Sequence, residues 1–323
     1  MADTQIRPMN LGEILDRTFG LYRDHFKLFV GIMALPAALA AIGGLVLQFF
    51  QGPLLQMQRE GPGELSPEMV GMALLFVVGF LVFMLVYWVL YSFALGATTC
   101  ALLSLLKGGK LSIREAYGSV GDRLLGLIFL PVVIFIFLLA AGLGAGLVVA
   151  LVGGGASAVS GWIGIPLIIV GCFGILFFMF WLVLGYSVTV PALIIEEIGI
   201  IESMKRSTLL MRRHRLRALL ILVLMVLIGY AANLILQSPL VVSTIVESMR
   251  GGTPPLWLRS LGAVGAGIAG ALTGPLLTLG LALLYFDLRV RKESFDPGAG
   301  DPATGPAGFP GIDPSRPLDQ PIA

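Results

Sequence analysis

Charged side chains are scarce in this chain. Only 12% of its 323 residues are Asp, Glu, Lys or Arg, whereas 57% are hydrophobic, and the mean hydropathy is +0.94. A soluble domain typically carries about twice that charged fraction. The few basic residues border long apolar runs rather than forming a nucleic-acid footprint. The composition therefore excludes an ordinary soluble domain and nucleic-acid binding, and it indicates an integral membrane protein.

Residues that carry chemistry are nearly as rare. Cys100 and Cys172 both lie in apolar runs, without the spacing of a zinc site or a disulfide framework. The two histidines come without HExxH, GxSxG or Walker motifs. The middles of the apolar runs hold no ionisable residue, which disfavours proton-coupled transport and voltage sensing. We therefore predict no catalytic, cofactor-binding or metal-binding residue.

Six apolar runs are each long enough to cross a hydrocarbon core of about 30 Å. The second, fourth and sixth are the longest, and at 1.5 Å per residue they predict helices of about 50 Å, whose ends we expect to project into the cytoplasm. No apolar core precedes Phe26, so we expect no secretory signal peptide at the start of this sequence. The predicted spans are 26–50, 69–106, 123–152, 162–195, 217–237 and 257–288.

Basic residues are sorted between alternate connections. Of the 21 Lys and Arg residues, 18 lie in the first, third, fifth and seventh segments outside the runs. The other segments hold only Arg59, Arg250 and Arg259. Because a Lys/Arg excess marks the cytoplasmic side, the predicted fold is an all-α bundle of six transmembrane helices with both termini cytoplasmic. Trp162 and Trp257 open two spans from the outer side, as an aromatic belt predicts.

Two amphipathic stretches, 11–26 and 201–214, precede odd-numbered spans. Their apolar residues recur at helical spacing, with charged residues elsewhere on the helix. They are predicted to lie along the cytoplasmic surface or against the projecting ends of the even spans. The apolar positions of the first are Leu11, Ile14, Leu15, Phe19, Tyr22 and Phe26.

An internal repeat is visible between these stretches. Glu13, Arg17, Thr18, Leu21, Arg23 and His25 match Glu202, Arg206, Ser207, Leu210, Arg212 and His214 at an offset of 189, and a middle copy matches at Glu115. The even spans share Leu-Gly steps at Leu95-Gly96, Leu184-Gly185 and Leu279-Gly280. The pattern favours a threefold repeat of interfacial helix, span and span, the alternative being similar chemistry at similar interfaces.

The composition changes near Pro297. Residues 297–323 hold seven prolines among Gly, Asp and Ala, and such a segment buries too little surface to fold. We predict a membrane domain over 1–296 and a disordered, Pro/Gly-rich cytoplasmic tail over 297–323.

Ionisable residues gather at the predicted cytoplasmic interface. Glu196, Glu197, Asp287, His25 and His214 could form a metal or acid–base site, whereas pairing with nearby arginines is the commoner outcome. The predicted interface cluster consists of Glu196, Glu197, Arg206, Ser207, Asp287, Arg289, Glu13 and Arg17.

Uncharged polar and small residues inside the spans allow two interpretations each. Hydroxyls either line a lipid-sized cavity or bond within and between helices. Small residues either permit close packing within one bundle or form a homodimer seam. Prolines within the runs should kink the helices or open them locally. The residues are Tyr91, Ser92, Thr98, Thr99, Tyr186, Ser187, Thr189, Tyr230, Asn233, Thr273 and Thr278; Gly142, Gly146, Gly262, Ala266, Gly270 and Gly274; and Pro36, Pro131, Pro166, Pro191 and Pro275.

Four motifs resemble the membrane domain found on some bacterial glycerophosphoryl diester phosphodiesterases. They are Arg7-Pro-Met-Asn-Leu-Gly-Glu-Ile-Leu-Asp-Arg-Thr-Phe-Gly-Leu-Tyr-Arg23, Pro191-Ala-Leu-Ile-Ile-Glu-Glu197, Ser203-Met-Lys-Arg-Ser-Thr-Leu209 and Leu284-Tyr-Phe-Asp-Leu-Arg-Val-Arg-Lys-Glu-Ser-Phe-Asp296. The resemblance spans about 7–296 and implies a multi-pass protein of the bacterial cytoplasmic (inner) membrane. The phosphodiesterase chemistry of that family resides in a separate soluble barrel, for which this chain has no segment, so no catalytic residue is carried over.

The leading functional prediction is a non-enzymatic membrane module that contacts membrane lipids or recruits a membrane-protein partner through its basic cytoplasmic face. The alternative is a carrier or flippase for a lipid or apolar solute, based on the proline-interrupted spans and the uncharged polar residues. A third hypothesis is a membrane-embedded phosphodiesterase using Glu196, Glu197, His25 and His214.

Overall fold

The computed structural model describes residues 9–60, 67–250, 252 and 254–293. This part of the chain contains ten α-helices, one 3-10 turn (Gly121–Arg123) and no strand. The predicted tail, 297–323, lies outside the described residues. The helices are α1 (Leu11–Asp24), α2 (Phe26–Glu60), α3 (Pro67–Leu106), α4 (Ile113–Gly118), α5 (Leu124–Val159), α6 (Gly161–Gly185), α7 (Thr189–Ile195), α8 (Ile200–Met211), α9 (Arg215–Met249) and α10 (Leu256–Glu293).

Within the described residues, six segments are long and apolar enough to cross a membrane, which confirms the predicted fold class. The chain is therefore a multi-pass membrane protein. The odd spans α2, α5 and α9 begin at one end of the bundle, where α3, α7 and α10 end and the short helices α1, α4 and α8 lie. We call this the charged end. The opposite end carries Trp162 and Trp257, both largely exposed.

The lengths of the helices differ from the prediction. The expected contrast between short odd spans and long even spans is wrong, since α2, α5 and α9 hold 35, 36 and 35 residues. The fourth span is divided instead, with α6 ending at Gly185 and α7 beginning at Thr189. Proline explains the position of the break: Pro191 has no N–H to donate to the carbonyl of Ser187, and its ring would clash with that carbonyl in a continuous helix.

The short helices pack in a recurring arrangement. Each lies against the even span that precedes it, counting cyclically: α1 contacts α10, α4 contacts α3, and α8 contacts α7. Each also begins with the same bond, in which a glutamate at the third helical position accepts the N–H of the residue before the helix. The glutamates are Glu13 (2.7 Å from Asn10 N), Glu115 (2.8 Å from Ser112 N) and Glu202 (2.8 Å from Gly199 N).

The buried face of α1 differs in part from its predicted apolar face. Ile14 and Thr18 are buried, whereas Phe19 and Phe26 are exposed. The hydroxyl of Thr18 is satisfied by the carbonyl of Ile14 at 2.7 Å, so its methyl-bearing side chain can be buried without an unpaired polar group.

Small residues allow α10 to pack closely against its neighbours α2 and α9. A methyl group added at Gly267 would lie 2.8 Å from Ala41 Cβ and 3.0 Å from the Ala37 carbonyl. One added at Gly265 would lie 3.1 Å from the Leu236 carbonyl. Because such distances leave no room for a side chain, Gly265 and Gly267 serve packing within one bundle. Of the predicted small residues, Gly262 faces Leu240 of α9, and a methyl group added at Gly274 would lie 3.4 Å from Met33 Sδ of α2, whereas one added at Gly146 or Gly270 would meet nothing within 4 Å.

Candidate functional site

The charged end contains two buried carboxylates, which belong to Glu196 and Asp287. Asp287 belongs to α10, whereas Glu196 contacts α10 from the end of α7, on the opposite face of that helix. Tyr285 and Arg289 are four residues apart and share one face, and Asp287 and Arg291 share another. The site is therefore two clusters rather than one.

The first cluster surrounds Glu196, which follows the last residue of α7 and is 6% exposed. Arg206 of α8 donates through Nε to both carboxylate oxygens, at 2.8 and 2.9 Å. Tyr285 donates its hydroxyl to Oε1, and Nε of Arg289 lies 3.6 Å from the same oxygen. The Arg289 guanidinium also lies 5.9 Å from the centre of the Tyr285 ring. Glu196 thus joins α7, α8 and α10.

The second cluster surrounds Asp287, which is 0% exposed. Its Oδ1 accepts the backbone N–H of Met9 at 2.7 Å, and its Oδ2 accepts from Arg217 at 3.1 Å and Arg291 at 2.9 Å. Arg291 also donates to the Met9 carbonyl at 2.6 Å. Asp287 therefore fixes Met9, two residues before α1, to α9 and α10.

Glu197 lies outside both clusters. Its side chain is 65% exposed and pairs with Arg123 Nη2 at 2.5 Å, while Arg123 Nη1 donates to the Ile194 carbonyl at 2.6 Å. Its φ of 57° falls in the left-handed region, which costs a non-glycine residue about 1–2 kcal/mol. This conformation turns the chain from α7 into α8 and separates Glu197 from Glu196.

The eight residues of the predicted interface cluster are only partly brought together. Glu196, Arg206 and Arg289 meet in the first cluster, and Asp287 occupies the second. Ser207 donates to the Gly185 carbonyl at 2.8 Å and joins α8 to α6. Glu13 begins α1, and Arg17 approaches the sulfur of Met9 at 3.9 Å.

Sequence reasoning did not assign a role to Tyr285, Arg217, Arg291, Arg123 or Met9. Tyr285 stands two residues before Asp287 in a motif already noted, and the three arginines were counted only as cations bordering spans. The i, i+4 spacing of Tyr285 with Arg289 and of Asp287 with Arg291 was the available signal. No sequence signal marks Met9, because it contributes only backbone atoms to Asp287.

The histidines do not join the glutamates. No hydrogen bond or ion pair links His25 or His214 to Glu196 or Glu197 within the residues that the structure describes, and no group of metal-ligating residues occurs there. Burial and the cations Arg217, Lys292 and Arg291 lower the pKa of His214, outweighing the opposite effect of Asp287. His214 therefore lies beside the second cluster as a weakly basic group.

Some of the hydroxyls inside the spans donate to backbone carbonyls three or four residues earlier in the chain. Thr98 donates to Ala94, Thr99 to Leu95 and Thr273 to Ala269, at 2.7, 3.0 and 2.8 Å. Ser187 and Thr189 donate to carbonyls around the break between α6 and α7. Five of the eleven polar side chains thus follow the interpretation in which hydroxyls satisfy their own backbone.

Comparison of the chain with protein-family models, with curated proteins and with solved structures gives no match. The resemblance to the phosphodiesterase-associated membrane domain therefore stays a prediction from the four motifs.

Proposed function

We propose that this protein is a non-enzymatic module of the bacterial inner membrane that contacts anionic lipids through its charged end. One observation carries the proposal: the charges at this end are sorted by burial. The two buried carboxylates are engaged by arginines within the chain. A set of exposed cations forms no ion pair within the described part of the chain: Lys107, Lys110, Arg114, Lys205, Arg212 and Arg213.

The internal clusters support a structural role for the acidic residues. Glu196 accepts hydrogen bonds from Arg206 and Tyr285 and forms an ion pair with Arg289, so its carboxylate oxygens are engaged within the protein. The same holds for Asp287, whose oxygens accept three bonds. General acid–base chemistry needs a group within reach of a substrate proton, which neither cluster offers.

The exposed cations suit a membrane surface. Each Lys or Arg near an anionic leaflet contributes about 1 kcal/mol of attraction. The 18 basic residues on one side of the predicted topology place this end, and both termini, on the cytoplasmic side in our proposal. The hydroxyls that bond to their own helices support this proposal over a carrier with a polar lining.

We also propose that the module is a threefold repeat. The supporting observation is one equivalent position in the three copies, five residues after Glu13, Glu115 and Glu202, occupied by buried Thr18, Val120 and Ser207. Each lies against the glycine of a Leu-Gly step. Methyl groups added at Gly280 and Gly96 would lie 3.9 Å from Thr18 Oγ1 and 2.9 Å from Val120 Cγ1, and Ser207 bonds to Gly185.

Spin-labelled lipids test the proposed function. The protein is reconstituted into vesicles, and the motionally restricted fraction of labelled phosphatidylglycerol is compared with that of labelled phosphatidylcholine. We expect a larger restricted fraction for phosphatidylglycerol, reduced when Lys205, Arg212 and Arg213 are all replaced by glutamine. The control is Arg250→Gln, an exposed cation at the opposite end, which should leave the difference intact. Equal fractions for both lipids in the unaltered protein, or turnover of a phosphodiester substrate, would contradict the proposal.

A further inference from the structure

Arg215, the first residue of α9, differs from its neighbouring arginines. Arg206 and Arg217 each pair with a buried carboxylate. Arg215 is half-buried, yet it has no acidic partner within the described residues, and its buried Nε has no hydrogen-bond partner there. A partly desolvated cation without a counter-charge is unfavourable. An anionic group of a ligand, bound next to this guanidinium, would supply the missing counter-charge.

The guanidinium is held against the end of α6. Its Cζ lies 4.4 Å from the centre of the Trp181 ring, and Nη1 donates to the Trp181 carbonyl at 3.1 Å. A methyl group added at Gly185 would lie 3.3 Å from Nη2 of Arg215, so the absence of a side chain at Gly185 makes room for the arginine. These contacts orient Arg215 while leaving its charge uncompensated.

An apolar cleft continues from this position into the span. Phe177, Phe178 and Trp181 line it, and the rings of Phe177 and Trp181 stack at 6.1 Å. All three side chains are exposed on α6. The helices α6 and α9 contact each other only sparsely, because α6 packs mainly on α5 and α9 mainly on α10. The cleft is lined by residues of α6, and its end at Trp181 meets Arg215 of α9; we call this cleft together with Arg215 the α6–α9 seam.

The order of chemical groups along this seam matches one class of ligand. A cation stands at the charged end, an indole ring follows at the depth where Trp prefers the membrane interface, and phenylalanines extend inward. On the basis of the proposed function as a lipid-contacting module, we propose that the α6–α9 seam binds one anionic phospholipid. Arg215 binds the phosphate, and Trp181, Phe177 and Phe178 contact an acyl chain.

Tryptophan fluorescence tests the site directly. Replacing Trp88, Trp162 and Trp257 by phenylalanine leaves Trp181 as the only tryptophan. The protein is reconstituted with phosphatidylglycerol or phosphatidylcholine carrying brominated chains, and quenching of Trp181 reports which lipid occupies the seam. We expect phosphatidylglycerol to be preferred about fivefold, the factor that one basic side chain near the surface provides.

Two variants separate a specific site from general attraction. Arg215→Gln should reduce the preference to about one, whereas Arg23→Gln, which removes the same charge from an exposed position of α1 at the same end, should leave it unchanged. Equal quenching by both lipids in the parent, a preference retained in Arg215→Gln, or an equal loss in both variants would each overturn the proposal. Displacement of the brominated lipid by inorganic phosphate would also overturn it, because the ligand would then be a free anion.

Mass spectrometry of the natural-sequence protein provides a second measurement that does not depend on the tryptophan replacements. After washing in detergent, one retained phosphatidylglycerol is expected, absent from Arg215→Gln; an equal amount in both proteins would overturn the site. If Trp181 shows no preference while spin-labelled phosphatidylglycerol remains enriched, only this site is refuted. Loss of both preferences refutes the proposed function as well.

Discussion

The charged end and the opposite half of the bundle are packed in different ways. From Leu276 to Leu288, nearly every residue of α10 is buried, and α3 is largely buried from Ala94 to Leu102. From Leu74 to Val86, by contrast, α3 is exposed on almost every side. Apolar side chains are as stable against lipid tails as against other apolar side chains, so the opposite half needs few contacts between helices. The charged end contains charged side chains and the ends of several helices, whose polar groups need partners within the protein.

The largest expected effect comes from Glu196→Ala. It leaves Arg206 and Arg289 buried near each other without their carboxylate, and breaking a buried ion pair in this way costs about 3–5 kcal/mol. The free energy of unfolding is measured by titration with sodium dodecyl sulfate in mixed micelles. Glu197→Ala is the matched control, expected to cost about 0–1 kcal/mol because its carboxylate is mostly exposed. If both variants lower the free energy of unfolding equally, burial of the carboxylate does not determine the cost of removing it.

Truncating leucines compares the packing of the two regions. Leu279 is 0% exposed, and Leu279→Ala should cost about 2–5 kcal/mol through the cavity it leaves. Leu81 is 62% exposed, and Leu81→Ala should change stability by less than about 0.5 kcal/mol. The same unfolding titration measures both. A comparable loss for Leu81→Ala would show that another surface covers α3 in the membrane.

Glycine replacements probe the close contact between α10 and α2. Gly267→Ala places a methyl group against Ala41 and the Ala37 carbonyl, and such overpacking typically costs about 1–3 kcal/mol. Gly270→Ala, three residues later on the same helix, meets no heavy atom within 4 Å and should be neutral or slightly stabilising. Thermal unfolding in detergent distinguishes them. If both variants are neutral, the helices are not as close as described.

The smallest effect concerns pH. The pKa of His214 is lowered in the folded protein, so the unfolded chain binds the proton more tightly. Stability should therefore fall as the pH drops below the ordinary histidine pKa of 6.5 and recover above it. His214→Gln should flatten this slope between about pH 5 and about pH 8. Unfolding titrations at several pH values check it, and an unchanged slope would assign the pH dependence to other groups.

Local patterns in the sequence were sufficient for several features. Apolar runs predicted six spans, and the structure has six helices long enough to cross a membrane. Pro191 was expected to disturb the fourth span, which is divided three residues before it. The face of α1 was less accurate, since Phe19 is exposed and Thr18 is buried. Amphipathic spacing ranks residues by polarity, but burial depends on which helix lies opposite, here α10.

The division of the acidic residues into separate clusters was beyond sequence patterns. Glu196 and Glu197 are adjacent in the chain, yet they pair with Arg206 and Arg123 respectively. The left-handed backbone conformation at Glu197 separates the two side chains, and the residue types at these positions do not predict that conformation. Likewise, Asp287 binds the backbone of Met9, 278 positions away.

Hydropathy and the placement of lysine and arginine are properties of short segments, because each segment partitions between water and lipid largely on its own composition. They were enough to recognise a multi-pass helical protein from the chain. Which carboxylate meets which arginine, and which glycine lies under which helix, depend on contacts between segments far apart in the chain. Those contacts form only when all the helices are packed together, so only the folded bundle decides them.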